Sequence, residues 1–164
     1  MSFIDEYSQL TRIPKPKLES FDILPGIREL EQLLKASLKE KNIVWKINCS
    51  YSSLLVKADP NLLSQVLLNL LHNAIDSFED IKQEAEIQIE IKKEGQQTKI
   101  TIHDNGCGIN KEIRADIFLP FFSTKEKGSG IGLSLSKNIL LAHRGNLTYI
   151  PNKKGSSFCI ELPN

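Results

Sequence analysis

Net charge is almost absent from this sequence: 21 Lys and Arg stand against 20 Asp and Glu. With no global positive field to hold a polyanion, nucleic acid is not expected as a partner. Cysteine is scarce too, and Cys49, Cys107 and Cys159 lie far apart, odd in number and without metal-ligand spacing. That argues against a zinc site and against a disulfide framework, so the three read as free thiols in a reducing, cytoplasmic setting. No apolar run approaches the roughly 20 residues that span a bilayer. The stretch after Met1 carries Asp5 and Glu6 where an export signal would be basic and apolar. The expectation is a cytoplasmic unit with no membrane contact of its own, within a parent protein that is free to be membrane-anchored. Internal repeats, low-complexity tracts and long runs of like charge are missing as well.

What is present is enough for one core, since 164 residues match the size of a single domain with a short appendage. Residues 2–12 have helical character, and Ile13-Pro14-Lys15-Pro16-Lys17 then stops any helix, because proline lacks the amide donor and restricts its predecessor. This predicts a helical remnant and linker over 1–17 and a domain over 18–164. From Pro25 to Lys41, Ile27, Leu30, Leu33, Leu34 and Leu38 recur at helical spacing. Residues 61–81, opening after Asp59 and Pro60, and residues 130–143 read as two further helices. Alternating or β-branched segments over 43–49, 54–57, 86–92, 99–103, 147–150 and 157–162 predict a sheet of five or more strands. The order suggests an α/β two-layer sandwich with one face of the sheet covered by helices.

Three constellations carry chemistry. On the second helix, Gln65, Asn69, Asn73 and Asp76 fall on one stripe, opposite the apolar Leu63, Val66, Leu67, Leu70, Leu71 and Ala74. An amphipathic helix with a solvated polar face would look the same. Asparagine, however, is a mediocre helix former, and its carbonyl oxygen suits Mg²⁺. Next, Asp104-Asn105-Gly106-Cys107-Gly108-Ile109 follows a predicted strand. It reads either as a plain turn or as a place where glycines let backbone approach a flat ligand while a carboxylate accepts from an exocyclic amine. Last, Phe118-Leu119-Pro120-Phe121-Phe122-Ser123-Thr124-Lys125 leads to Gly128-Ser129-Gly130-Ile131-Gly132-Leu133 at the start of the third helix. Open amides at a helix N-terminus favour an anion, phosphate above all. No short strand precedes these glycines and no Gly-Lys-Ser/Thr follows, so neither a dinucleotide fingerprint nor a Walker loop fits.

In this order the blocks resemble those of the GHKL, or Bergerat-fold, ATPases, and within them the catalytic domain of sensor histidine kinases of the nitrogen-regulator type. Residues 61–78 resemble the N box, 104–109 the first glycine box, 118–125 the F box, 128–133 the second glycine box and 155–158 the closing glycine motif. The resemblance implies a mixed, mostly antiparallel sheet under helices, with ATP and Mg²⁺ as ligands. It implies that Asn73 ligates Mg²⁺, that Asn69 lies beside the phosphates, and that Asp104 bonds the adenine amine with Ser156 nearby. Gly106 and Gly108 would border the base, and Ile109 and Asp76 would be further ATP-binding residues. Phe122, Thr124, Lys125, Gly128, Ser129, Gly130, Ile131, Gly132 and Leu133 would belong to the lid over the phosphates.

The same resemblance implies a phosphotransferase whose acceptor histidine lies on a separate dimerisation hairpin. No catalytic residue is expected in this chain itself. A response-regulator receiver domain would be the further partner, with a dimeric parent and a monomeric fragment. Two positions depart from the pattern: Asp76 stands where many sensor kinases have lysine, and Ser156 where threonine is usual. His72, His103 and His143 all lack the acidic neighbour and proline context of an acceptor. An ATP-driven clamp or hydrolase of the same superfamily is the alternative, but such branches carry glutamate where this chain has Asn69, which cannot take a proton at neutral pH. A serine-directed kinase of the same fold is a third alternative, against which the helical remnant before Pro14 speaks.

Overall fold

The computed structural model describes residues 14–78, 84–125 and 128–164. The helical character expected over 2–12 lies outside them.

Asp22 organises the entry into the domain. It ends strand β1 (Glu19–Asp22), and one of its oxygens accepts the amides of Leu24 and Leu54, each at 3.1 Å. That cap starts helix α1 at Ile23, two residues before the expected Pro25, and the helix runs to Glu40. Its apolar stripe, Ile23, Leu24, Ile27, Leu30, Leu34 and Leu38, is buried. Asn42 then takes the left-handed conformation (φ 51°) that asparagine tolerates, and the chain turns into β2 (Ile43–Cys49).

Strand β3 (Leu55–Ala58) does not join the main sheet as expected. It pairs antiparallel with β1, Asp22 opposite Leu55, in a separate two-stranded sheet. Helix α2 (Pro60–Asp76) is capped by Asp59, whose carboxylate accepts from the amides of Asn61 and Leu62, and also from the amide of Lys17 at 2.9 Å. These amides hold the Asp59 carboxyl below its usual range, with the Lys17 bond foremost. The helix ends at Asp76 instead of reaching residue 81, because the Ser77 hydroxyl donates back to the Ala74 carbonyl at 2.7 Å.

β4 (Ala85–Glu94), β5 (Gln97–Asp104), β6 (Asn146–Pro151) and β7 (Ser156–Pro163) complete the five-stranded sheet with β2, in the order β2-β4-β5-β7-β6. Only β2 and β4 are parallel. Ile87, Ile89, Ile91, Ile100, Ile102, Phe158, Ile160 and Leu162 share the inner face and are buried with the apolar stripes of the helices. On the other face, Lys46–Glu86 and Lys92–Glu90 form ion pairs, and Lys99 pairs with Glu94 at 2.7 Å and with Glu161 at 3.6 Å, all of them partly open to solvent. The architecture is the expected mixed, mostly antiparallel α/β sandwich.

Helix α3 (Gly132–Ala142) is shorter than the expected 130–143, since Gly130 has φ 67° and cannot be helical. His143 follows the last residue of α3. It is buried, its Nε2 accepts the Asp59 amide at 3.0 Å, and its Nδ1–H donates to the Ile139 carbonyl at 2.7 Å. Both bonds together require the neutral ring. None of the helices in the described residues is long and apolar enough to cross a membrane.

Candidate functional site

The floor of the site forms where β5 and β7 end side by side. Asp104, the last residue of β5, is opposite Ser156 at the start of β7. Asp104 is only 6% exposed, and its Oδ1 accepts three bonds: from the Gly106 amide at 2.9 Å, the Ser77 hydroxyl at 3.1 Å and the Ser156 amide at 3.2 Å. Its Oδ2 has no partner among the described residues. Burial pushes this carboxyl above the usual carboxylate range, and the three bonds only partly offset that. A carboxylate kept buried with one oxygen open is suited to accept from an amine such as the adenine amino group.

Glycine is required beside it. At Gly155 (φ 73°) any Cβ would overlap the Asp104 carbonyl, and at Gly106 it would overlap the Ser77 hydroxyl. Gly108 packs its own Cα face against the Gly155 carbonyl. The result is a flat, backbone-walled cradle, with Ile109 half-buried at its edge. Ser77, which the sequence reading did not single out, ties the end of α2 to Asp104. Its position one turn after Asn73 was the available signal. Ser156 enters through its backbone amide.

The polar stripe of α2 leads away from this floor. Asn69 donates from Nδ2 to Ser136 Oγ on α3 at 3.0 Å, another partner the sequence reading missed. Its Oδ1 occupies the space that a Cβ at Gly132 would need. Gly132 therefore lets the start of α3 approach α2. No side chain caps that start, so the first-turn amides of Gly132, Leu133 and Ser134 lack intrahelical partners.

Lys125 Nζ lies 2.7 Å from Asp76 Oδ2 and 3.3 Å from Asn73 Oδ1. The side chains of this ion pair are 45% and 40% exposed, so it contributes at most about 1 kcal/mol. The loop behind it is folded on itself: Phe121 is left-handed (φ 64°) with Gly130 against its backbone, and Gly128 N–H donates to Lys125 O at 3.1 Å. Phe122 packs on the core and Ile131 and Leu133 are half-buried, while Thr124 and Ser129 are exposed. The expected site residues thus gather in two groups, a cradle around Asp104 and a polar end around Asn69, Asn73, Asp76, Lys125 and Gly132.

The histidines lie elsewhere or point elsewhere. His72 is exposed on α2, and His103 accepts or donates at 2.6 Å to Ser157 on the outer sheet face, where burial lowers its pKa.

Residues 58–164 match the family model described as histidine kinase-, DNA gyrase B- and HSP90-like ATPase. The chain belongs to that family. Its match covers α2 through β7 and hence both halves of the site. The sensor histidine kinase ZraS of Escherichia coli K12 is 33% identical over 160 residues, 95% of this chain and 34% of that protein. The nitrogen regulation protein NtrY of Azorhizobium caulinodans is 30% identical over 163 residues, 97% of this chain and 21% of that protein. The chain therefore spans about a third or less of these relatives. Among solved structures, the catalytic domain of histidine kinase ThkA superposes with a TM-score of 0.82 at 29% identity, covering 90% of this chain and 95% of that one. ThkA in complex with response regulator protein TrrA matches with a TM-score of 0.80 at 25% identity, covering 98% and 46%. A domain of this ATPase family binds ATP.

Proposed function

We propose that this chain is the ATP-binding catalytic part of a cytoplasmic sensor histidine kinase, with residues 1–17 linking it to the helical hairpin that carries the acceptor histidine. The observation that carries the choice of kinase over hydrolase is Asn69. Where a hydrolase of this family needs a carboxylate to take a proton from water, this chain has an amide whose Nδ2 is committed to Ser136.

In this reading Asp104 Oδ2 accepts from the adenine amino group, and Gly106, Gly108 and Gly155 wall the base. Asn69 and the first-turn amides of α3 face the phosphates, with Lys125 as the mobile cation on the loop above them. The residues present fit a divalent cation, since Asn73 and Asp76 already turn two oxygens onto one ammonium. Asn73 would hold Mg²⁺, which when bound neutralises the charge between the terminal phosphates. Catalysis by this chain is then positioning: it holds the γ-phosphoryl group in line for an imidazole nitrogen supplied from elsewhere. The phosphoryl group would pass next to a receiver domain, a role supported by the ThkA–TrrA complex. The parent would act as a dimer and this chain alone as a monomer.

The test is transfer of radiolabelled γ-phosphate with and without a separately produced dimerisation hairpin. Label should appear only on the added hairpin's histidine. Brisk steady-state hydrolysis by this chain alone would overturn the kinase reading in favour of an ATP-driven clamp.

A further inference from the structure

Asn73 and Asp76 lie one turn apart on α2 and present Oδ1 and Oδ2 to a single point. Lys125 Nζ occupies that point, 3.3 Å from the first oxygen and 2.7 Å from the second. An ammonium is a compact charge that takes whatever oxygens surround it. Two oxygens from a rigid helix that converge on one therefore mark a place for a cation, whichever cation comes. Hard divalent ions seek this arrangement, one or two protein oxygens with phosphate and water completing the shell.

We propose that Asp76 joins Asn73 in holding the divalent cation, and that Lys125 is a stand-in which keeps the place until metal and nucleotide arrive. The proposal deepens the nucleotide-site reading and rests on it. Three features support exchange. The ion pair is open to solvent, so breaking it is cheap. Lys125 sits on the loop that follows the half-buried Phe122, whereas both oxygens sit on a capped helix, so the lysine is the partner able to move. The charges also balance in both states. Without metal, Asp76 neutralises Lys125. With metal, the dication takes the Asp76 carboxylate and the freed ammonium turns to a phosphate oxygen. A bare polyphosphate, by contrast, would meet the Asp76 carboxylate with no dication between them, so Asp76 selects metal-bound ATP over metal-free ATP.

Two measurements decide it. In the first, calorimetry gives ATP affinity in excess Mg²⁺ and in EDTA for the wild type and for Asp76→Asn. The variant should weaken binding about tenfold in Mg²⁺ and leave binding in EDTA unchanged or tighter. Equal losses in both buffers would overturn the proposal. In the second, no nucleotide is present, and free Mn²⁺ is followed by its paramagnetic resonance signal. Lys125→Met removes the competing charge and should tighten Mn²⁺ binding by roughly tenfold, an effect that adding Asp76→Asn abolishes. Unchanged Mn²⁺ affinity in Lys125→Met would overturn the exchange. A wild type that binds ATP in neither buffer would overturn the nucleotide reading, and the Mn²⁺ measurement would still decide the exchange by itself. Both side chains are substantially exposed, and an unchanged circular dichroism melt confirms that each variant is folded.

Discussion

Ser156 donates its amide to Asp104 Oδ1 at 3.2 Å across the ends of β7 and β5, so the inner oxygen of this carboxylate is fixed by the sheet while the outer one has no partner among the described residues. Asp104→Asn separates the two roles. An asparagine Oδ1 can keep the internal bonds, but Nδ2 replaces the open oxygen and confronts a donor with a donor. ATP affinity should fall by about 1–3 kcal/mol, roughly 10- to 100-fold, and the preference for ATP over GTP should vanish. Titration calorimetry with unchanged ATP affinity would rule out the adenine assignment.

The same substitution should stabilise the nucleotide-free protein. Burial raises the Asp104 pKa in the folded state above its ordinary 3.8. A raised folded pKa means that the associated stability is complete below the unfolded pKa and is lost as pH rises through the folded value. Near neutrality, Asp104→Asn should therefore melt above wild type, and the difference should shrink as the buffer is acidified below 3.8. Thermal melts over a pH series check the sign.

Asn73→Ala should reduce ATP affinity in Mg²⁺ by more than it does in EDTA, about tenfold against less than twofold. Equal losses would leave Asn73 as nothing more than part of the α2 face.

Gly155→Ala should cost both stability and binding, because its left-handed backbone and the Asp104 carbonyl leave no room for a methyl group. Positive φ and overlap together predict a loss of about 2–4 kcal/mol, read as a lower denaturant midpoint with an unchanged slope. A midpoint equal to wild type would contradict the close packing of this turn.

His143→Ala should unfold the protein at lower temperature without altering phosphoryl chemistry. It removes the hydrogen bond from the Asp59 amide that ties the end of α3 to the start of α2, together with the buried one to the Ile139 carbonyl of its own helix. The expected loss is about 2–4 kcal/mol. Radiolabel found on wild-type chain but missing from this variant would instead make His143 an acceptor.

The parts that were legible in the sequence are those written locally. Asp59 and Pro60 announce α2, and the alternation through Ile87, Ile89 and Ile91 announces a strand with one buried face. Long-range partners were not legible. Glu19–Asp22 carries one large apolar residue and shows no alternation, and only the distant β3 makes it a strand. Helix ends failed for a related reason. Ser77 stops α2 by bonding back to Ala74 and forward to Asp104, and the second of these partners lies 27 residues away. At the site, Asn69, Asn73 and Asp76 were visible as a stripe, yet their partners Ser136 and Lys125 come from segments that only folding brings near.

The cradle proposed for adenine is drawn from the end of α2, the end of β5 and the start of β7, with Asp104 and Ser156 separated by 52 positions. No partly folded chain that has yet to add β7 can retain a weakened version of it. Occupancy and native topology are therefore one event, and nucleotide should act as a folding chaperone for its own binding site. At a hundredfold excess over its dissociation constant, ATP would shift the unfolding equilibrium by about 2.7 kcal/mol, so cellular ATP would protect newly made copies from proteolysis in proportion to how well each has closed its C-terminal hairpin.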